Sequence, residues 1–261
     1  PDTPGDSVVM LTDTNGDGIF DEAKTFATGL NCIQGLAWHG RDLWVGNSPD
    51  LTIVRDRDGD GVADEYVTVF TDPRNIEHAN HGHNWAPDGK LYFSQGTSKG
   101  LTQPGRIAPK ALRDLWDVKA PAGTPEFPAP RTFTAAEYKA TYQDPKDDWG
   151  REGGVLRCDD LGANLEIVAR GLRNPFDLAF DSGFNWLGTD NDQSEGDRIF
   201  MPFQGAHFGW GHGWSTHWTG RDHLPTAPAS GPVFDGSGTG IVYYDAPQLP
   251  PAYRGVWFFN D

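Results

Sequence analysis

Two short runs of the chain concentrate side chains suited to hard cations. In DRDGDGVADE, Asp56 to Glu65, four aspartates and a glutamate fall within ten residues. Asp56, Asp58, Asp60 and Asp64 take positions 1, 3, 5 and 9 of this loop, with Gly61 at position 6. DTNGDGIFDE repeats the spacing with Asp13, Asn15, Asp17, Asp21 and Gly18. Oxygen donors at alternate positions around a tight glycine turn suit Ca²⁺, which takes roughly six to eight of them. An EF-hand would carry a glutamate at position 12, where this chain has Lys24 and Val67. A solvated acidic turn that binds nothing is the plain alternative, and two in-register copies favour the ion. The hairpin CDDLGANLE lacks the pattern.

A second set of residues could move protons. NIEHANHG (Glu77, His78, His81), GLRNPFD (Arg173, Asn174) and NCIQG (Gln34) each precede or begin a β-rich run. Together they offer a base, an acid beside it, a guanidinium and amides. Each has a plainer role: a histidine can cap a strand, and Arg173 can pair with a carboxylate to tie sheets together. His207, His212, His217 and His223 lie in HFGWGHGWSTHWTGRDH, but nothing places them on one element, so packing and loop roles are favoured over a metal site. The chain has no G-x-S-x-G elbow, Walker A loop or C-x-x-C-H haem signature.

The elements that position these groups follow from a repeat. Asp13 and Asp56 are 43 positions apart, and their surroundings match. VVMLTD precedes the first loop and LTIVRD the second; AKTFAT follows the first and YVTVFT the second. Two β-rich runs around a Gly-rich loop read as a hairpin. A period of about 40–45 residues with four strands per unit is that of a β-propeller blade. One blade reads GLAWHG, DLWVGN, LTIVRD, YVTVFT; the next GHNWAPD, KLYFSQ, GGVLRCD, LEIVARG; a third starts FDLAFDS, FNWLGTD, DRIFMPF. TGIVYYD and GVWFFND begin another. The expected fold is an all-β propeller, one domain over residues 1–261 with about four blades' worth of strands. A propeller ring must close on itself, so we expect a portion of a longer protein. The chain begins Pro-Asp-Thr-Pro without an initiator Met, as a processed, trimmed or excerpted chain would.

A Pro-rich insertion, 99–152, interrupts the period and carries two helical stretches, PKALRDLWDV and TAAEYKATY, the latter with a capping-box Thr134 and Glu137. Loops of this length inside compact domains are usually lids or binding loops.

Bulk composition narrows the partners. With 33 Gly, 20 Pro and 10 Trp, the chain favours short strands and turns over long helices. A formal net charge of −16 repels phosphate backbones, so nucleic acid is not expected as a partner. No apolar run reaches the ~18 residues of a membrane span. Cys32 and Cys158 form no C-x-x-C motif, and whether they pair is left open.

Strand alternation divides the two sets of residues. In a four-stranded blade the lead-in to the first strand and the turn between the second and third share one face. Both acidic loops join third to fourth strands, so they belong on the other face as structural clips. Gln34, His78 and Arg173 lead into innermost strands and surround the central channel. The insertion and the turn TDNDQSEGD share that face.

EHANHGHNWAPDGKLYF, GLRNPFDLAFD and GDRIFMPFQGAHFGWG resemble segments of the soluble quinoprotein glucose, aldose and sorbosone dehydrogenases, which are six-bladed propellers. DGSGTGIVYYDAPQLPPAYRGVWFFND is similar to a segment of large exported dehydrogenase-like proteins of planctomycete type. The acidic loops likewise resemble the calcium hairpins of integrin-type propellers. The quinoprotein resemblance implies pyrroloquinoline quinone (PQQ) held with Ca²⁺ over the channel. It implies His78 as the base, Glu77 as the acid that orients it, and Arg173 as the group opposing charge on the quinone oxygen. Gln34 and Asn174 would contact the cofactor, and the turn with Asp190 and Asp192 would hold its calcium. A sugar-like substrate, an electron acceptor such as a c-type cytochrome, and a periplasmic or secreted location are implied as well. The expected activity is oxidation of a sugar or related alcohol or aldehyde. The alternatives are a calcium-stabilised binding module without redox activity and a calcium-dependent hydrolase of the lactonase kind, for which only Glu77 and Asn174 qualify as ligands.

Overall fold

The computed structural model describes residues 5–48, 50–71, 78, 80–97, 110–117, 119–120, 122–124, 126, 129–139, 152–191, 196–210, 227 and 236–260. β1 (Asp6–Thr12) and β2 (Glu22–Leu30) form an antiparallel hairpin around the first acidic loop. β3 (Ile33–His39), β4 (Asp42–Asn47), β5 (Asp50–Arg55) and β6 (Glu65–Thr71) form an antiparallel meander, with the second acidic loop between β5 and β6. β7 (Asn80–Trp85) and β8 (Leu91–Gln95) open the third sheet. Within the insertion, helix α1 (Lys110–Leu115) is followed by β9 (Arg131–Thr134), which pairs back onto the outer edge of β6. β10 (Gly153–Cys158) and β11 (Glu166–Leu172) complete the third sheet in the order β7-β8-β10-β11. β12 (Asn174–Phe180), β13 (Trp186–Asn191) and β14 (Arg198–Phe200) form the fourth. β15 (Ala206–His207) returns to run parallel along β11. β16 (Ile241–Tyr244) and β17 (Val256–Phe259) pair as the fifth.

The sheets stack face to face in chain order, as propeller blades do. Between the first and second lie Val8, Phe26, Leu30, Leu43, Val45, Val54 and Tyr66. Trp44, Leu51, Ile53 and Val69 meet Leu91, Phe93 and Leu156 between the second and third. Tyr92, Val155 and Val168 meet Leu178 and Phe200 between the third and fourth. Leu43 and Val45 thus face one neighbour while Trp44 between them faces the other, because successive strand residues point to opposite faces. A blade covered on both sides needs apolar residues facing both ways, which is why Leu43, Trp44 and Val45 run together in β4 and β5 interrupts Leu51, Ile53 and Val54 only with Thr52. The fifth sheet is tied to the fourth by Asp177, whose carboxylate accepts the Ile241 N–H at 3.0 Å. Burial raises the pKa of that carboxyl.

The repeat sets equivalent residues in different surroundings. Leu11 and Val54 occupy the same place in successive units, yet Leu11 is 55% exposed and Val54 is fully buried. Phe20 is 66% exposed, whereas its counterpart Ala63 is buried and donates its N–H to Phe26 O at 2.7 Å. Val54→Ser is therefore expected to cost about 2–4 kcal/mol, from lost packing and a buried hydroxyl, while Leu11→Ser stays within about 0.5 kcal/mol. Urea melts of the two variants check this, and equal losses would contradict the stacking order.

The insertion differs in part from expectation. PKALRDLWDV gives α1, with Leu112 and Trp116 buried between the second and third sheets. TAAEYKATY begins at the last residue of β9 and continues as a single turn over 135–137 instead of a helix, while its residues 140–142 lie outside the described residues. Its capping-box contact forms, Thr134 N–H to Glu137 Oε2 at 2.9 Å. The buried Tyr138 then anchors the chain, its hydroxyl bonding Asn47 Nδ2 at 2.7 Å and Thr52 Oγ1 at 3.1 Å. Those tertiary bonds outweigh the weak helical preference of so short a segment.

Candidate functional site

The two faces separate as strand alternation requires. Asn31, ahead of β3, donates to Ser48 O at 2.6 Å in the turn after β4, so lead-in loops and second-to-third turns share one end of the blades. The acidic loops lie at the other end.

On the lead-in face the second, third and fourth sheets converge. β7 packs between β3 and β12, which places their leading residues around one centre. His78 is largely buried and holds Thr97 Oγ1 at Nδ1, 3.0 Å away. Gly96 donates its N–H to His78 O at 3.1 Å, and Thr97 donates its own to Arg173 O at 2.8 Å. Gly96 has no side chain for a spatial reason. A Cβ there would stand 2.7 Å from both Asn174 Oδ1 and the His78 Cβ. His78, Thr97, Arg173 and Asn174 therefore form one cluster joining two blades.

Behind that cluster stands β13. Asp190 is fully buried. Its carboxylate accepts the Arg173 N–H at 3.2 Å and the Asn174 N–H at 2.9 Å. Arg198, equally buried, approaches it at 3.8 Å and lies over the Phe208 ring. Asn191 accepts the Arg173 guanidinium at 3.1 Å on both its carbonyl oxygen and its Oδ1. Asn174 Nδ2 reaches the same Oδ1 at 3.2 Å.

The structure thus brings together His78, Arg173, Asn174 and Asp190 from the sequence-derived set. The Asp190 side chain is turned to the backbone of Arg173 and Asn174, so it acts behind the site. Gln34 enters at the head of β3, with Nε2 3.3 Å from Cys32 Sγ. Cys32 and Cys158 are not joined by a disulfide. Burial raises the Cys158 thiol to about 12. Glu77, Asp192, His212, His217 and His223 lie outside the described residues. His81 stacks on Phe176, ring centroids 4.5 Å apart, and His207 pairs with Glu152 at 3.1 Å. Thr97 and Asn191 were not singled out from sequence. Thr97 follows the second strand of its blade and Asn191 ends the second strand of the next, the positions that turn onto this face, and that rule is the signal for finding them.

The two acidic loops differ in detail. In the second, carboxylate oxygens of Asp56, Asp58 and Asp64 lie within 4.8 Å of one another. Asp56 accepts the Gly59 and Gly61 N–H groups at 2.6 and 2.9 Å, and the Gly61 bond first of all holds its pKa below the usual carboxylate range. In the first, Asp13 takes the Gly16 and Gly18 N–H groups at 2.6 and 2.8 Å. Asp21, however, is closed off by Thr14 Oγ1 at 2.8 Å and Asn15 Nδ2 at 3.0 Å. Gly18 and Gly61 both adopt positive φ, +87° and +83°, which a side chain would strain. Asp60 and Asp17 each accept an N–H two residues on, from Val62 and Ile19, at 2.8 Å.

Comparison with known proteins supports the fold. A domain family of unknown function, DUF7133, matches residues 1–115. The HIPL1 protein of Arabidopsis thaliana is 27% identical over 128 residues, which are 48% of this chain and 17% of that protein. The chain thus spans about a sixth of that relative. A glucose dehydrogenase crystal structure superposes with a TM-score of 0.56 at 14% identity, over 92% of this chain and 71% of the other. A second, a putative oxidoreductase (glucose dehydrogenase) from Thermus thermophilus, gives 0.51 at 16% identity, over 85% and 65%. The chain shares the all-β propeller fold of these dehydrogenases. Among the described residues no helix is long and apolar enough to cross a membrane.

Proposed function

We propose that this chain carries the catalytic face of a quinoprotein-like dehydrogenase that oxidises a sugar or related alcohol or aldehyde. The observation that carries the reading is the His78 cluster. An imidazole fixed by Thr97 shares a cradle with Arg173 and Asn174 at the channel ends of two blades. Asn174 Oδ1 is buried there with no hydrogen-bond partner among the described residues, and the Arg173 guanidinium beside it carries the N–H donors that a flat, oxygen-rich cofactor calls for, so the residues fit such a group. His78, Arg173, Asn174 and Gln34 would hold PQQ, with Glu77 and the turn around Asp192 completing the site. PQQ bound with Ca²⁺ supplies the hydride acceptor that amino acid side chains lack.

The chain's own residues supply the rest. Thr97 fixes the ring of His78, which takes the hydroxyl proton of the substrate as its carbon becomes a carbonyl. Arg173, anchored on Asn191, opposes negative charge that develops at the oxidant. The insertion, residues 99–152, leaves and rejoins the blade beside this cluster. Thr97 bonds Arg173 O before it, and a Cβ on Gly153 after it would stand 3.0 Å from the same oxygen. We place it as a border of the substrate approach within one propeller domain outside the cytoplasm. A carrier such as a c-type cytochrome would remove the electrons.

Adding PQQ and Ca²⁺ to the protein tests this reading. A bound-quinone spectrum and dye reduction with an aldose panel are expected. No spectrum would leave the calcium-stabilised binding module as the better account.

The acidic loops would act as structural Ca²⁺ clips on the other face, with the second the stronger. Asp64→Ala is expected to weaken Ca²⁺ binding by roughly tenfold or more, and the equivalent Asp21→Ala by less, since affinity follows the number of converging charged ligands. Calorimetric titration of both variants decides it; the reverse order would contradict the difference between the loops.

A further inference from the structure

Two consecutive residues of β13 meet the cluster from different sides. Asp190 reaches the backbone N–H groups of Arg173 and Asn174. Asn191 instead meets their side chains. Its Oδ1 accepts both the Arg173 guanidinium at 3.1 Å and Asn174 Nδ2 at 3.2 Å, and its carbonyl oxygen takes a second bond from the guanidinium at 3.1 Å. An amide that gives its Nδ2 to one side must present its Oδ1 to the other. For Asn174 that other side is Gly96 and the Cβ of His78.

We propose that Asn191 is the positioning residue of this site: one amide oxygen fixes both the Arg173 guanidinium and the orientation of the Asn174 carboxamide. It touches neither His78 nor Thr97 in any described bond and acts only through the two residues it holds. A bond to a charged guanidinium is among the stronger side-chain bonds, and here it sits beside a second bond to the same acceptor atom. Without Oδ1, the Arg173 guanidinium keeps, among the described residues, its bond to the Asn191 carbonyl oxygen, and Asn174 Nδ2 loses this one.

The proposal rests on the functional reading for its ligand but not for its geometry, and the test has an arm for each. Asn191→Ala should raise the dissociation constant for PQQ, measured by quinone absorbance with Ca²⁺ present, by about tenfold. Asn191→Asp keeps an acceptor oxygen in place and should return binding to within about threefold of wild type. Wild-type affinity in Asn191→Ala, or equal weakness in both variants, would overturn it. In the second arm, crystal structures without added ligand should show the Arg173 guanidinium and the Asn174 carboxamide displaced in Asn191→Ala and in their original places in Asn191→Asp. Unmoved side chains in Asn191→Ala overturn the proposal whatever the affinities. If the wild-type protein itself takes no PQQ, the functional reading fails, and the crystallographic arm still decides the role of Asn191.

Discussion

His78→Ala is expected to lower kcat by about 10²–10⁴-fold in the presence of PQQ, Ca²⁺ and an aldose, the usual range for loss of a general base. The fold should survive. His78 lies outside the strands, and its backbone oxygen still accepts from Gly96 in the variant. Circular dichroism melts should therefore shift by only a few degrees. Thr97→Val should fall between wild type and His78→Ala, because it keeps the base and removes only what orients it. The effect belongs in kcat more than in KM, since the proton moves only as the transition state forms. Full turnover in His78→Ala would remove the dehydrogenase assignment from this cluster.

The second large effect concerns acid. Stability should decline as the pH falls below about 6.5, and one histidine should account for much of the slope. β7 carries a bulge: His81 pairs with Ser94 and Asn84 with Tyr92, so Gly82 and His83 together oppose Phe93. Gly82 has φ +55°, and a Cβ there would stand 2.9 Å from the Asp177 Cα. The bulge re-aims the next side chain. His83 is pushed into the seam between the second and third sheets, parallel to the Phe93 ring at 5.8 Å. Gly35 and Gly46 leave room for it, since a Cβ on either would fall within 2.4 Å of the imidazole. Burial first, and then the neighbouring His81, lowers its pKa from 6.5 to about 3. The folded protein therefore holds His83 neutral while the unfolded chain protonates it below about 6.5. Stability from this group is present above that pH and is lost progressively toward pH 3. From pH 7 to pH 5 the loss is roughly 2 kcal/mol by linkage. His83→Leu should flatten that part of the profile in urea melts at the two pH values. An unchanged slope would show that His83 is not the group responsible.

Much of the architecture was legible because it is local and repeated. The 43-residue offset of Asp13 and Asp56, with matching strands on each side, is a property of the chain before it folds. It fixed the strand order β3 to β6 and β7, β8, β10, β11. The alternation rule put His78 and Arg173 on one face and the acidic loops on the other, because the direction of a strand decides which end its loops leave from. Other features had no local signal. Nothing in TAAEYKATY announces that Tyr138 finds Asn47 and Thr52. The two acidic loops look alike in sequence, yet Thr14 and Asn15 close the first while the second keeps three carboxylates converging. The His83 slot needs two glycines from one blade and a bulge from the next.

The sequence by itself determined the blades, their order, the cation-type loops and the candidate base and guanidinium, since strand period and turn chemistry are written in neighbouring residues. Only the tertiary structure decided that Thr97 orients His78, that Asp190 serves the backbone, and that Asn191 holds Arg173 and Asn174 together. Those contacts join residues from different strands and blades, and their geometry depends on how the sheets stack, which no spacing along the chain specifies.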